Sequence, residues 1–234
     1  MVFEFYFENT YYLPVYEVSV IGRFNHYDPK ANILKRHKDG YHGTAMFSPG
    51  EYEYKFLING VLRLNDPAAQ YYRKDKNGEV WTVLVIDKNG NRLSSETEQR
   101  IELYNHVICG QMVENMEACY SRECFTHADE RVCAGYGFGN ILGTHSITAI
   151  WVNPDLAMHH ICEHVIEVLP GDMNNATDVW FWLDFHEKRR YYPKGVWRIK
   201  LYINGNFIME DKFHFESGYL YSVNNRSAQI RYIL

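Results

Sequence analysis

Pro49-Gly-Glu-Tyr-Glu-Tyr-Lys-Phe-Leu-Ile-Asn-Gly60 alternates apolar and polar side chains between two turn-forming dipeptides. Successive side chains of an extended strand point to opposite faces, so every second residue lies on the same face. The predicted core face consists of Tyr52, Tyr54, Phe56 and Ile58, and the opposite face of Glu53, Lys55 and Leu57. Asn-Gly is a strong hairpin signal, so the stretch predicts one strand of an antiparallel sheet.

Similar segments occur on both sides of this strand. Val80–Ile86 follows the turn-forming Lys76-Asn-Gly78, and Val179–Phe185 is a short apolar run typical of a strand. Val196–Ile203 alternates again, and Asn204-Gly205 then predicts a hairpin into the segment that ends at Phe215. An aromatic content of 16% favours sheet over helix.

These patterns predict an all-β chain of two immunoglobulin-like β-sandwich domains. The polar, turn-rich residues 87–100 mark the boundary between them. We assign residues 1–90 to the first domain, 91–100 to a linker, 101–216 to the second domain and 217–234 to a C-terminal hairpin. Residues 155–169 are the best short candidate for a helix.

Charge and composition narrow the classes of function. A net charge of −5 argues against a nucleic-acid partner, and no apolar run approaches the ~18 residues of a membrane span. The first eight residues alternate like a strand and lack the basic start of a secretion signal. Without a signal, the five cysteines are expected to be free thiols in a reducing cytoplasm.

Four motifs occur in a familiar order: Gly22-Arg-Phe-Asn-His-Tyr27, Pro49-Gly-Glu-Tyr-Glu-Tyr-Lys-Phe56, Asn59-Gly60 and Asn65-Asp-Pro67. Together they resemble the carbohydrate-binding module of the AMP-activated protein kinase β subunit and of branching and debranching enzymes. The resemblance spans residues 15–87 and implies an early-set immunoglobulin-like sandwich that binds α-glucan.

The same resemblance implies a sugar-binding groove. The family's first tryptophan falls on Tyr27, whose ring can stack on a sugar, and its lysine falls on Lys55, which we expect to be exposed. Its second tryptophan aligns near Leu62, which cannot stack. The family's polar residue on the last strand falls near Trp81, which either replaces the lost ring or blocks the groove.

The second half is similar to bacterial immunoglobulin-like domains that end in a Pro-x-Gly-x-Trp hairpin motif. Here that motif is Pro193-Lys-Gly-Val-Trp-Arg-Ile-Lys-Leu-Tyr-Ile-Asn-Gly205. It predicts a hairpin and carries no chemistry of its own.

Catalytic and metal motifs are weak throughout. In a strand, His160, Cys162 and His164 would face the same way; in a helix, the two histidines would pair at i, i+4. Neither spacing is a known metalloprotease motif, so we expect no metal. Gly135-Tyr-Gly-Phe-Gly139 lacks the spacing of a phosphate loop and predicts a flexible loop between strands.

The leading interpretation is therefore a non-catalytic α-glucan-binding or adaptor protein with contacts at Tyr27, Lys55 and Trp81 and with no cofactor. The alternative is a protein–protein interaction scaffold whose ancestral sugar groove is no longer used. Such a scaffold would bind a protein partner or a second copy of the chain.

Overall fold

The structure is a computed structural model that describes residues 1–8, 10, 12–94, 98–114, 116, 119–172, 176–186 and 191–216. Within these residues the chain forms fifteen strands and one turn of 3-10 helix, Arg23–Asn25. The strands are β1 Val2–Glu8, β2 Val18–Gly22, β3 Lys35–Arg36, β4 Gly40–Met46, β5 Gly50–Ile58, β6 Leu62–Leu64, β7 Tyr72–Lys74, β8 Val80–Ile86, β9 Arg100–Cys109, β10 Cys124–Thr126, β11 Arg131–Val152, β12 Met158–Val168, β13 Thr177–Asp184, β14 Gly195–Ile203 and β15 Asn206–Glu216. The all-β prediction is confirmed.

The first half is a sandwich of two sheets. One sheet has the order β1-β4-β3, and the other has the order β2-β5-β8-β7, with β6 paired to β5. Alternate residues of β1 face the other sheet, and Phe5 meets Tyr54 edge-to-face with ring centroids 5.2 Å apart. Tyr54, Phe56 and Ile58 are buried and Tyr52 packs against the same cluster partly buried, so the core face predicted for β5 is confirmed.

The second half is organised around one long strand. The first part of β11 pairs with β9 and β13, and its last part pairs with β12 and β14. Gly143 lies between the two parts with a φ of +95°, a value that favours glycine. The strand therefore passes from one sheet to the other, and the core between them includes Trp151 and Trp197, both fully buried.

Two predictions of local structure in this half are wrong. Gly135-Tyr-Gly-Phe-Gly139 is not a loop, because it lies inside β11. The rings of Tyr104 and Trp180 lie against its outer face, where a side chain on the central strand would collide with them. Residues 155–169 are not a helix either, since β12 occupies most of them and pairs with β11.

The two halves share a core. Ile150, Val152 and Tyr202 belong to the second half, yet they pack in the apolar cluster of the first. The Asn204-Gly205 hairpin is confirmed, and it touches the first half because Gly205 lies directly against the Asn65 carbonyl. The division into two domains remains a prediction.

The predicted linker begins with a compact turn. The Asp87 carboxylate accepts hydrogen bonds from the backbone N–H groups of Asn89 and Asn91, and the Leu93 N–H donates to the Val85 carbonyl. The chain therefore folds back on β8 before β9 begins at Arg100. The predicted hairpin at 217–234 lies outside the described residues.

Candidate carbohydrate-binding site

Tyr27 closes a tight turn that follows β2. The Asn25 side chain supports the turn by accepting a hydrogen bond of 2.9 Å from the Gly22 N–H. His26 and Tyr27 both have positive φ angles, 55° and 58°, which are uncommon outside glycine. This backbone places the Tyr27 ring edge-to-face with Trp81 at 5.6 Å, and 46% of Tyr27 remains exposed.

The three predicted contact residues lie together. Lys55 is in the middle of β5, and its Nζ atom lies 5.4 Å from the ring centroid of Trp81 on neighbouring β8. Trp81 in turn contacts Tyr27. However, Lys55 is 0% exposed and Trp81 is 5% exposed. The cluster is real, but two of its members are inside the protein.

Lys55 is held by two carboxylates. Its Nζ lies 2.9 Å from Oε1 of Glu79 and 3.1 Å from Oε2 of Glu163. The other oxygen of Glu163 accepts from the Val80 N–H at 3.4 Å. A buried ammonium is tolerated only when it is paired and hydrogen-bonded, so these contacts are what allow the lysine to be buried.

A second ion pair repeats this arrangement at the edge. Lys74 of β7 lies 2.9 Å from Glu167, which is four residues after Glu163 in β12. The hydrogen bond from Lys74 lowers the pKa of Glu167 below its usual value. Thus β12 of the second half lies against the face of the first half that was predicted to be the groove.

The predicted exposure of Lys55 is therefore wrong. The sequence places it correctly on the face opposite Tyr54 and Phe56, but that face meets β12 rather than solvent. Leu62 is also fully buried, in the shared core. Glu163 was missed because it lies within the segment considered for metal binding. A lysine within an apolar strand indicates that a carboxylate pairs with it in the folded protein. The sequence does not identify which carboxylate that is.

The Asn65-Asp-Pro67 motif forms a buried polar network. The Tyr54 hydroxyl donates to Asp66 Oδ2 at 2.7 Å, and the Asp66 N–H donates to the Thr82 hydroxyl at 2.9 Å. The Tyr72 hydroxyl donates to the Asp66 carbonyl at 2.8 Å. Burial raises the pKa of the Asp66 carboxyl. These contacts join β5, β8 and the loop after β6, so the motif has a structural role.

The histidine-rich segment is part of β12. Its His159 ring stacks on Tyr192 at 5.2 Å and meets Trp197 edge-to-face at 4.9 Å. Burial lowers the pKa of His164. Across the described residues, no three His, Cys, Asp or Glu side chains are grouped so that they could hold a metal ion.

Residues 11–92 match the family described as the glycogen recognition site of AMP-activated protein kinase. The match covers strands β2 to β8 of the first sandwich, including Tyr27, Lys55 and Trp81, and leaves β1 outside. The family is a carbohydrate-binding module. None of the curated proteins compared with the chain matches it.

Solved structures resemble the chain only distantly. A β-glucosidase from Listeria innocua in complex with glucose has a TM-score of 0.33 and 10% identity, over 56% of this chain and 17% of that one. Pseudomonas fluorescens alkylpurine DNA glycosylase AlkC has a TM-score of 0.34 and 6% identity, over 51% of this chain and 31% of that one. An immunoglobulin-like protein from Pseudomonas aeruginosa has a TM-score of 0.30 and 16% identity, over 52% of this chain and 98% of that one. At these TM-scores the likenesses do not define the fold.

Proposed function

We propose that this chain is a non-catalytic carbohydrate-binding protein that recognises α-glucan. The observation that carries the proposal is the match of residues 11–92 to the glycogen recognition family. The match includes all of strand β5, which lies in the core of the first sandwich, and the turn that presents Tyr27. A binding module of this kind would act as an adaptor that brings the rest of the chain to the polysaccharide.

The geometry restricts how glucan could bind. Of the three predicted contacts, Tyr27 is exposed, whereas Lys55 and Trp81 are covered. Glu79 and Glu163 already occupy the Lys55 ammonium, so it has no free face to offer to sugar hydroxyls. We therefore infer that Lys55 and Trp81 support the joint between the halves rather than contact the ligand.

A second candidate function is an interaction scaffold, and the closed groove favours it. If the glucan site was given up when β12 covered it, the chain would bind a protein partner or a second copy of itself. Both candidates are compatible with a cytoplasmic location. In that location the five described cysteines, all of them free thiols, would stay reduced.

Glucan binding separates the two candidates. We expect glycogen in a native gel to retard the full chain, and calorimetry with maltoheptaose to give a weak affinity, about 10⁻⁴ M. Cellohexaose, a β-linked glucan, is the matched control ligand. No retardation and no heat with any α-glucan would contradict the proposal and favour the scaffold.

A further inference from the structure

A cavity of about 140 Å³ lies at the joint between the two halves. The first half contributes β1, the segment around Leu13 and the loop around Asp66, and the second half contributes Tyr202 and the β14–β15 turn. Phe7, Leu13, Leu64, Asp66 and Tyr202 form a buried floor, and Glu8, Pro67, Ala68 and Asn206 form an exposed rim. The cavity therefore requires both halves and opens to the surface.

Its walls are aromatic. Tyr12 and Phe207 stack face to face, with centroids 3.9 Å apart and an interplanar angle of 15°. Tyr202 stands nearly perpendicular to Phe207, at 5.6 Å and 68°. All three rings line the cavity. Flat apolar walls suit the C–H faces of a ring-shaped ligand, as in most small-molecule sites.

The floor holds polar groups with unused hydrogen-bonding capacity. Tyr202 is 2% exposed, and its hydroxyl has no hydrogen-bond partner within the part of the chain that the structure describes. A buried hydroxyl without a partner costs free energy, which a bound hydroxyl group would recover. Asp66 accepts from Tyr54 and from the Ala68 N–H, yet a carboxylate has further lone pairs.

Charge and size define the ligand class. Among the described lining residues there are two acids, Glu8 and Asp66, and no lysine, arginine or histidine, so an anionic ligand such as a phosphate is disfavoured. A cavity of about 150 Å³ is known to hold one benzene ring. A glucose residue has about twice as many heavy atoms as benzene, so this cavity can enclose one edge of a pyranose ring while the open rim leaves the rest of the sugar outside. A neutral, polyhydroxylated ring matches the aromatic walls and the polar floor.

We propose that this cavity binds a single glucose ring at the end of an α-glucan chain. The proposal rests on the proposed function and names the site of that function. It places the sugar at the joint, away from the cluster of Tyr27, Lys55 and Trp81. The joint that buries Lys55 also brings Tyr202 and Phe207 to the Asp66 loop. The packing of the two halves therefore covers the predicted groove and at the same time forms this cavity.

The test is calorimetry of the full chain with maltose and with maltoheptaose. We expect the two affinities to agree within about threefold, because only one ring is seated. Tyr202→Phe keeps the ring and removes the hydroxyl, so we expect about fivefold to tenfold weaker binding with an unchanged or higher Tm. Tyr120→Phe removes a hydroxyl from a tyrosine that is 92% exposed and is the matched control.

Phe207→Leu tests the wall while keeping an apolar side chain, and we expect a loss of at least fivefold. If Tyr27→Ala abolishes binding while Tyr202→Phe and Phe207→Leu do not weaken it, the cavity proposal is wrong and the proposed function stands. If the wild-type chain binds no α-glucan, the proposed function is wrong, and the cavity proposal that rests on it is wrong as well.

Discussion

The Nζ atom of Lys55 lies 3.1 Å from Oε2 of Glu163, 108 residues further along the chain. This contact joins the middle of the first sandwich to an edge strand of the second. It turns a predicted ligand contact into an internal ion pair.

Replacing Lys55 should destabilise the protein strongly. Lys55→Met leaves Glu163 without its cation and Glu79 with only Arg63, 3.8 Å away, and breaking a buried pair in this way costs about 3 kcal/mol. Lys74→Met is the matched control, because Lys74 and Glu167 are 42% and 38% exposed and such pairs contribute at most about 1 kcal/mol. Urea unfolding measures both. Equal losses for the two variants would contradict the buried joint.

The Gly205 turn should be sensitive to a single methyl group. Gly205 has a φ of +82°, and a Cβ atom there would collide with the Asn65 carbonyl. Gly205→Ala should lower the free energy of unfolding by about 1–2 kcal/mol for the left-handed backbone strain. It should lower it further because the turn must move away from the Asn65 carbonyl. Gly90 has the same φ of +82° with nothing within 4 Å, so Gly90→Ala should cost the strain alone. Matching melting temperatures for the two variants would show that the turn does not touch Asn65.

Asp66 should make a pH-dependent contribution of a defined sign. Its pKa is raised from 3.8 by burial, so the folded state binds a proton more tightly than the unfolded state. Wild-type stability should therefore fall, relative to Asp66→Asn, as the pH rises from the ordinary pKa through the raised one. The difference in unfolding free energy between the two proteins, measured from pH 3 to 8, isolates this contribution. A difference that grows in favour of the wild type over that range would refute it.

Two thiols should resist alkylation. Burial raises the pKa of Cys109 to about 12 and that of Cys133 to about 11, and the thiolate is the reactive form. Iodoacetamide at pH 8, followed by mass spectrometry, should leave both unlabelled in the native protein and label both in urea. Labelling of Cys133 in the native protein at the urea rate would contradict its burial beneath Met116 and Trp180.

Much of the fold could be predicted because strand alternation and turn residues are local signals. The β5 core face, the Asn59-Gly60 turn and the Asn204-Gly205 hairpin all depend on neighbours within a few residues. The prediction of a loop at Gly135–Gly139 was wrong because it too used only a local signal, and clustered glycines usually mark loops. Here they leave room for the rings of Tyr104 and Trp180.

The site could be predicted only in part. That Tyr27, Lys55 and Trp81 lie together followed from the family motifs, because those motifs sit on adjacent strands of one sheet. That the cluster is covered could not be predicted, because one strand pattern does not reveal which distant strand packs on it. A charged residue on a strand face normally indicates solvent, and Lys55 departs from that rule through its two carboxylates.

Amine labelling of Lys55 tests the closed joint most directly. The native chain is treated with an N-hydroxysuccinimide ester, with and without maltoheptaose, and the rate of modification at each lysine is measured by mass spectrometry. We predict that Lys74 is labelled at an ordinary surface rate and that Lys55 is protected under both conditions, since its side chain is 0% exposed against 42% for Lys74. If Lys55 is labelled as fast as Lys74, and maltoheptaose then protects it, the groove is open and binds glucan, which would contradict the account.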